Sequence, residues 1–135
     1  MIVMDASAAM AIAGKTEKGK ALASLMLDGE QIIAPDFYHC EVGNAVWKSR
    51  MFGGFSDEEA TAVLQSAIGL VDEFLPMGDL LAETYGEAAR AKHSIYDMLY
   101  LVLARRTGAT LFTLDKKLAD ICREAKVSCI EEVAI

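Results

Sequence analysis

The chain has 135 residues, of which 53 % are apolar, a size and composition that allow one domain with one hydrophobic core. Its 13 Lys and Arg against 20 Asp and Glu give a net charge of −7, which has the wrong sign for a protein that holds nucleic acid by a broad basic surface. A contact with nucleic acid would need a divalent cation to offset those carboxylates.

Apolar runs and turn signals predict five short strands that alternate with helices. In chain order, the strands are predicted over residues 2–4, 31–34, 74–77, 110–114 and 128–130. The helices are predicted over residues 7–12, 17–27, 35–51, 57–73, 80–92, 95–106 and 116–125. Asp36 is the predicted N-cap of the third helix, and Ser56 with Glu59 forms a capping box for the fourth.

This alternation predicts an α/β fold with a parallel sheet covered on both faces. No linker, repeat or low-complexity tract divides the chain, so residues 1–135 are interpreted as one domain. The apolar residues 2–14 lack the basic start of a secretory signal and include Asp5, and no later apolar run reaches the ~20 residues of a membrane span. The three cysteines cannot all pair within one chain, so we expect a soluble, reduced, cytoplasmic protein.

Two acidic residues directly follow predicted strands. Asp5 ends the first strand and Asp115 follows the fourth, so both belong to the carboxyl edge of the sheet, where open α/β sheets commonly place ligands. Each acid also directly precedes a helix, and a helix N-cap is the structural alternative for both.

Glu41 stands inside the third helix at the border of an apolar stripe, where a charged residue is rarely buried unless it is paired or bound to a metal. Asn44 lies one turn further on, where its amide could orient the Glu41 carboxylate. The alternatives are a Glu41 that faces water and reaches Lys48 or Arg50, and an Asn44 that is a surface amide.

Asp97 begins an almost unbroken apolar helix, three residues after Ser94, so it could instead be the acid of a capping box. The coincidence of four such acids favours a functional cluster. Carboxylates gathered in one place repel each other strongly unless a hard cation such as Mg²⁺ or Mn²⁺ holds them. That arrangement suits phosphodiester hydrolysis, in which one or two metal ions activate water and stabilise the developing negative charge.

At these four positions the sequence resembles the PIN-domain family. The similar segments are IVMDAS at 2–7, EVGNA at 41–45, YDMLYLVLA at 96–104 and TLDKKLA at 113–119. Each segment is weak evidence by itself, but four segments in the family's order and spacing, over residues 1 to about 130, form a strong signal.

The resemblance implies a three-layer α/β/α sandwich with a parallel sheet in strand order 3-2-1-4-5 and an acidic pocket that binds Mg²⁺ or Mn²⁺. It assigns catalytic and metal-binding roles to four residues, Asp5, Glu41, Asp97 and Asp115. Ser7 and Thr113 match polar positions beside that pocket, where they would hold a water molecule or a carboxylate. Met98 departs from the Ala of many relatives, and its bulkier side chain is expected to narrow the pocket.

Single-domain relatives of this length resemble VapC-type toxins. The resemblance therefore implies a metal-dependent endoribonuclease that acts as the toxin of a type II toxin–antitoxin pair. Its partners would be RNA, a small antitoxin with a flexible basic tail, and a second copy in a homodimer. The alternatives are an RNA-processing PIN nuclease without an antitoxin and a PIN-like module that binds without cleaving, although the second has no reason to keep a repulsive acidic cluster.

Several other side chains have two interpretations. The pairs Arg105–Arg106 and Lys116–Lys117 would flank the pocket and meet RNA phosphates, or would simply be solvated. Both histidines, His39 and His93, are predicted to be surface or boundary residues. The aromatic residues of the third helix could form a face for a partner, with core packing favoured for Trp47; they are Tyr38, Trp47 and Phe52.

Overall fold

Five parallel strands form one sheet in the order β3-β2-β1-β4-β5, as predicted. The computed structural model describes residues 1–130, and the last five residues of the predicted domain lie outside the described residues. The strands are β1 Ile2–Met4, β2 Ile32–Pro35, β3 Glu73–Leu75, β4 Thr110–Phe112 and β5 Cys129–Ile130. The central strand β1 is wholly buried, which explains why it is apolar at every position.

Helices connect the strands. They are α1 Ala6–Ala13, α2 Glu17–Ala23, α3 Tyr38–Phe52, α4 Asp57–Gly69, α5 Leu81–Ala91, α6 Ile95–Thr107 and α7 Lys116–Glu124, with a 3-10 turn at Met77–Leu80. Helices α1 to α4 pack mainly against one another, and α6 packs against both α5 and α7, so two helical layers enclose the sheet. Within residues 1–130, every helix is too short or too polar to cross a membrane.

Helix α6 is the central helix of its layer. Seven consecutive residues, from Met98 to Ala104, are buried, and the helix contacts β1, β2 and β4. Its left-handed C-cap is Gly108, as the sequence predicts, because glycine adopts positive φ without a Cβ clash. The first turn of α6 contains Asp97, whose charge acts on Asp5 at the carboxyl end of β1.

Two helices are shorter than the sequence predicts. Helix α2 ends at Ala23 rather than near residue 27. Helix α4 has the predicted Ser56–Glu59 capping box but ends at Gly69, not near residue 73. Helix α4 ends before Asp72 because the carboxylate of Asp72 accepts the backbone N–H of Ile32 at 2.8 Å. This bond fixes the start of β2.

The predicted N-cap role of Asp36 is wrong. Strand β2 extends through Pro35, so α3 begins at Tyr38 and its cap position falls on Phe37. The Asp36 carboxylate instead accepts the backbone N–H of Met77 at 3.0 Å. It therefore joins the end of β2 to the 3-10 turn that follows β3.

Candidate active site

Asp5 lies where β1 ends and α1 begins, and it is only 5 % exposed. Its Oδ1 accepts the backbone N–H of Ala8 at 2.9 Å and the hydroxyl of Ser7 at 2.7 Å, which confirms the N-cap alternative. Burial raises the pKa of Asp5 to about 6, and the charge of Asp97 adds to the rise, although the bonds from Ala8, Ser7 and Thr113 oppose it. The N-cap of α1 is therefore a buried carboxylate whose pKa is also raised by the charge of a second acid, Asp97.

Two hydroxyl groups join the ends of β1 and β4. Ser7 Oγ lies 3.4 Å from Thr113 Oγ1 and accepts the backbone N–H of Leu114 at 2.9 Å. Thr113, which is wholly buried, accepts the backbone N–H of Asp115 at 3.0 Å. Ser7 and Thr113 thus connect Asp5 to Asp115, in agreement with the polar positions expected from the sequence.

Glu41 reaches the same edge from the first turn of α3. Its Oε1 accepts the hydroxyl hydrogen of Tyr100 at 2.5 Å. Burial raises the pKa of Glu41 to about 7, the Tyr100 bond opposes the rise, and the charges of Asp97 and Asp5 add to it. Arg50, one of the partners considered for Glu41, pairs with Asp57 at 2.6 Å instead.

Asp97 lies in the first turn of α6, and its Oδ2 is 2.7 Å from His93 Nε2. Over residues 1–130 the Ser94 side chain makes no cap hydrogen bond, so the capping-box interpretation of Asp97 is wrong. The prediction of a surface or boundary position holds for both histidines, since His39 is exposed and His93 is half-buried, but it did not include the contact between His93 and Asp97. His93 is half-buried and tied to an acid, and the available signal was its spacing of four residues from Asp97.

Asp115 is the N-cap of α7. Its Oδ1 accepts the backbone N–H groups of Lys117 at 2.9 Å and Leu118 at 3.2 Å, so the N-cap alternative holds here too. Ligand atoms of His93, Asp97 and Asp115 also lie within 4.8 Å of one another, close enough to share one ion. Asp115 therefore caps α7 and also belongs to a group of side chains that could share an ion.

These contacts bring all four predicted acids together. The charges of Asp5, Glu41 and Asp97 act on one another, and Asp97 adjoins Asp115. Four segments of the chain contribute one carboxylate each, namely the β1–α1 junction, α3, α6 and the β4–α7 junction. Asp5 and Asp115 lie at the carboxyl edge of a parallel sheet, where open α/β folds bind ligands.

A cavity of about 420 Å³ opens beside Glu41. Its lining residues are Ala6, Ser7, Met10, Glu41, Asn44, Ala45, Lys48 and Ser49. Asn44 therefore shares a cavity with Glu41, as its position on the helix predicts, and Lys48 adds a cation to the same cavity. Met98 is wholly buried in the core.

The four basic residues that the sequence suggests as contacts for RNA phosphates lie in two different parts of the structure. Lys116 and Lys117 are exposed and directly follow Asp115 at the start of α7. Arg105 and Arg106 lie in the last turn of α6, whereas Asp97 lies in its first turn. Arg105 pairs with Glu83 at 3.0 Å and Arg106 with the same carboxylate at 2.8 Å, so the structure does not bring these arginines to the acids.

Comparison with known proteins decides the family. The PIN domain family matches residues 2–124. The chain belongs to the PIN-domain family. This PIN domain is 33 % identical over 119 residues to ribonuclease VapC12 of Mycobacterium tuberculosis, an alignment that covers 88 % of the chain and 90 % of that protein. It is 27 % identical to ribonuclease VapC3 of Pyrobaculum aerophilum, covering 88 % of the chain and 92 % of the relative.

Solved structures agree with the fold of this PIN domain. The crystal structure of PAE2754 from Pyrobaculum aerophilum has a TM-score of 0.66 at 24 % identity, with 89 % of this chain and 84 % of the other covered. The crystal structure of Mycobacterium tuberculosis VapC20, a sarcin–ricin loop cleaving toxin, has a TM-score of 0.66 at 17 % identity, with 89 % of this chain and 94 % of the other covered.

The donor set of this PIN domain fits a divalent cation. Carboxylate oxygens are the ligands that Mg²⁺ and Mn²⁺ prefer. The pKa values of Asp5 and Glu41 are raised mainly by burial, and neighbouring carboxylates raise them further. A cation among these groups would relieve that repulsion and would compensate for the buried charge.

Proposed function

We propose that this PIN domain is a Mg²⁺- or Mn²⁺-dependent endoribonuclease that hydrolyses RNA phosphodiester bonds and acts as the toxin of a type II toxin–antitoxin pair. The observation that carries the proposal is the convergence of four carboxylates from four segments at one edge of the sheet. The relatives named ribonucleases, at up to 33 % identity over most of the chain, support RNA as the substrate class.

The four acids would have different roles in the metal centre. We propose that Asp97 and Asp115 hold the cation directly, and that Asp5 and Glu41 act partly through water, because Mg²⁺ usually takes only one or two carboxylates. The cation, when bound, would activate a water molecule and offset the negative charge that develops on the phosphate.

The chain's own polar groups would hold this arrangement in place. Ser7 and Thr113 fix Asp5 and the backbone at Asp115, and Tyr100 orients Glu41. Asn44 would contact the substrate or a water molecule in the cavity beside Glu41.

Basic residues around the acids would contact RNA phosphates. Lys116 and Lys117 lie at the start of α7 beside Asp115, and Lys48 lines the cavity beside Glu41. The two groups approach the acids from different elements, so an RNA strand that crosses the centre would meet a cation on either side. Arg105 and Arg106 have no part in this proposal, because they form ion pairs at the far end of α6.

The proposed antitoxin is a small protein with a flexible segment that orders on binding and places a basic side chain among the acids. Exposed apolar side chains on and beside the early helices would lie under such a segment. They are Leu25, Leu27, Trp47, Met51 and Phe52. We also propose that the chain forms a homodimer, which sedimentation of the purified protein tests.

The decisive experiment measures cleavage of a structured RNA by the purified protein with Mg²⁺ or Mn²⁺ and with a chelator. Asp97→Asn should abolish cleavage while the circular dichroism spectrum is kept, because it removes a ligand charge at nearly constant volume. Asp28→Asn is the matched control, since Asp28 is exposed in the turn before β2, at the opposite edge of the sheet. Cleavage that survives in Asp97→Asn, or in the chelator, would refute the proposal.

A further inference from the structure

His93 is a histidine that lies with two acids of the centre, Asp97 and Asp115, in one group of possible metal ligands. It lies in the short connection between α5 and α6, and its Nε2 is 2.7 Å from Asp97 Oδ2. Asp115, at the start of α7, places a carboxylate oxygen within 4.8 Å of both groups. A histidine that served only to pair with Asp97 would not need to be within reach of Asp115.

The backbone holds His93 in this position. Helix α5 ends at Ala91, its C-cap Lys92 has a left-handed φ of 53°, and the backbone N–H of His93 donates to the carbonyl of Ala88 at 3.1 Å. Two residues later α6 begins. The connection between α5 and α6 is thus anchored by a helix end on each side. Because this short segment has little freedom, it holds the imidazole at the acidic centre.

The distances suit coordination to a shared ion. Ligand atoms about 2.1 Å from one ion lie about 3 Å apart when they are neighbours and about 4.2 Å apart when they are opposite. The 2.7 Å between His93 and Asp97 is close to the separation of neighbouring ligands, and the Asp115 oxygen lies within 4.8 Å of both atoms, so small side-chain shifts would bring all three to one ion. The Asp97 carboxylate can only accept, so Nε2 donates its hydrogen in this contact; to bind an ion, the neutral imidazole would carry its hydrogen on Nδ1 and offer the Nε2 lone pair to the centre.

We infer that His93 is a ligand of the metal centre and that its nitrogen makes the centre prefer a first-row transition ion, Mn²⁺, to Mg²⁺; this rests on the metal centre of the proposed function. The reason is chemical. Carboxylates and water serve Mg²⁺ and Mn²⁺ alike, whereas imidazole is a ligand of transition ions and adds little to the binding of Mg²⁺.

The test is a spectroscopic measurement on the full chain loaded with Mn²⁺. Electron spin echo envelope modulation should show nitrogen-14 coupled to the bound ion in the wild type and in His39→Gln, the control at the other histidine. The coupling should vanish in His93→Gln. Mn²⁺ affinity, measured by the signal of the free ion, should fall about tenfold or more in His93→Gln. Mg²⁺ affinity, measured by competition, should change less than about threefold.

A second variant keeps the inference testable if His93→Gln folds poorly. His93→Asp replaces the nitrogen donor by an oxygen donor, so it should keep metal binding, lose the nitrogen coupling and shift the preference toward Mg²⁺. Mn²⁺-loaded wild type without nitrogen coupling would overturn the inference. So would a His93→Gln protein that binds both ions as tightly as the wild type or more tightly, which is the behaviour of a bystander ion pair.

The Asp97→Asn variant distinguishes a failure of the inference about His93 from a failure of the proposed metal centre. If this variant loses Mn²⁺ while His93→Gln behaves as the wild type, the inference about His93 fails and the metal centre stands. If Asp97→Asn binds Mn²⁺ as well as the wild type does, or if the wild type binds none, the metal centre of the proposed function fails, and the inference fails with it.

Discussion

Tyr100 donates its hydroxyl hydrogen to Glu41 Oε1 over 2.5 Å and so joins the middle of α6 to the first turn of α3. Tyr100 is only 1 % exposed, so its ring is part of the core while its hydroxyl belongs to the acidic edge. The bond lowers the pKa of Glu41 and opposes the burial that raises it to about 7. Tyr100 therefore keeps Glu41 more ionised near neutral pH than burial alone would allow.

The Tyr100→Phe substitution tests this relationship. Phe fills the same core volume but removes the donor, so the pKa of Glu41 should rise further above its usual range. Cleavage near pH 7 should fall several-fold, and the rising limb of the pH–rate profile should move to higher pH. The measurements are the pH profile of RNA cleavage and an NMR titration of the Glu41 carboxyl.

Tyr38→Phe is the control for that prediction. Tyr38 is also buried, and its hydroxyl donates to the Ala67 carbonyl in α4. Both substitutions should lower the free energy of unfolding by about 1 kcal/mol, because each removes one hydrogen bond. Only Tyr100→Phe should change the pH profile. An unchanged profile in Tyr100→Phe would show that the bond to Glu41 does not tune the site.

Asp5 makes the stability of the metal-free protein depend on pH. Its pKa rises from 3.8 in an ordinary Asp to about 6 in the folded chain, so the folded state binds the proton more tightly than the unfolded state does. Folding is therefore favoured at low pH, and this contribution, on the order of 3 kcal/mol, is lost as the pH rises from about 4 to about 6. Glu41, whose pKa rises from 4.5 to about 7, changes stability in the same direction.

Asp5→Asn should therefore raise the melting temperature of the metal-free protein at pH 8, and the gain should shrink toward pH 4. Asn removes the buried charge and still caps a helix N-terminus well, so the bond from the Ala8 N–H is kept. Asp28→Asn, with the same change in net charge, should shift the melting temperature little at either pH. A melting temperature lowered by Asp5→Asn at pH 8 would mean that the cap outweighs the repulsion.

The apolar runs and their alternation with helices predict a parallel sheet and the edge where Asp5 and Asp115 meet the other two acids, whereas the order of the strands is predicted only by the resemblance to the PIN-domain family. The sequence does not show whether an acid at a strand–helix junction is a helix N-cap or a metal ligand. At Asp5 the same side chain caps α1 and enters the acidic cluster, and at Asp115 it does both again. The geometry of a strand–helix junction serves both roles, so the two interpretations were never exclusive.

Other features depend on contacts between distant segments. The spacing of His93 from Asp97 is a local signal, but the proximity of His93 to Asp115, which comes from a distant segment, is not visible in any local pattern. Trp47, for which core packing was the favoured prediction, is 51 % exposed. The buried side of α3 is instead formed by residues four apart, Tyr38, Val42 and Val46, and Trp47 lies just beside this stripe.

Basic residues beside Asp115 and in the last turn of α6 can be compared for their effect on RNA binding. Lys117→Gln, beside Asp115, should weaken RNA binding and reduce the slope of log affinity against log salt by up to about one. Arg106→Gln removes the same charge where it pairs with Glu83, so it should leave the salt slope unchanged. Binding is measured with a catalytically inactive Asp97→Asn background at several salt concentrations. Equal slopes for Lys117→Gln and the parent would remove Lys117 from the RNA interface.

The acidic centre should also recognise a protein cation. An Arg or Lys side chain placed among Asp5, Glu41 and Asp97 would supply the charge that a metal ion otherwise supplies, and Arg could bind a carboxylate through two hydrogen bonds. We therefore expect a small protein with a flexible basic tail, encoded in a neighbouring reading frame, to co-purify with this PIN domain and to suppress its nuclease activity. Replacing the inserted basic residue by Ala should weaken the complex about tenfold or more, the usual scale for losing a hydrogen bond to a charged group. Excess Mg²⁺ should release the tail from the wild-type centre but have little effect on the Asp97→Asn protein, which lacks a proposed metal ligand. A nuclease that stays fully active and unaccompanied on co-expression would contradict the toxin assignment, and a complex indifferent to Mg²⁺ would place the tail outside the acidic centre.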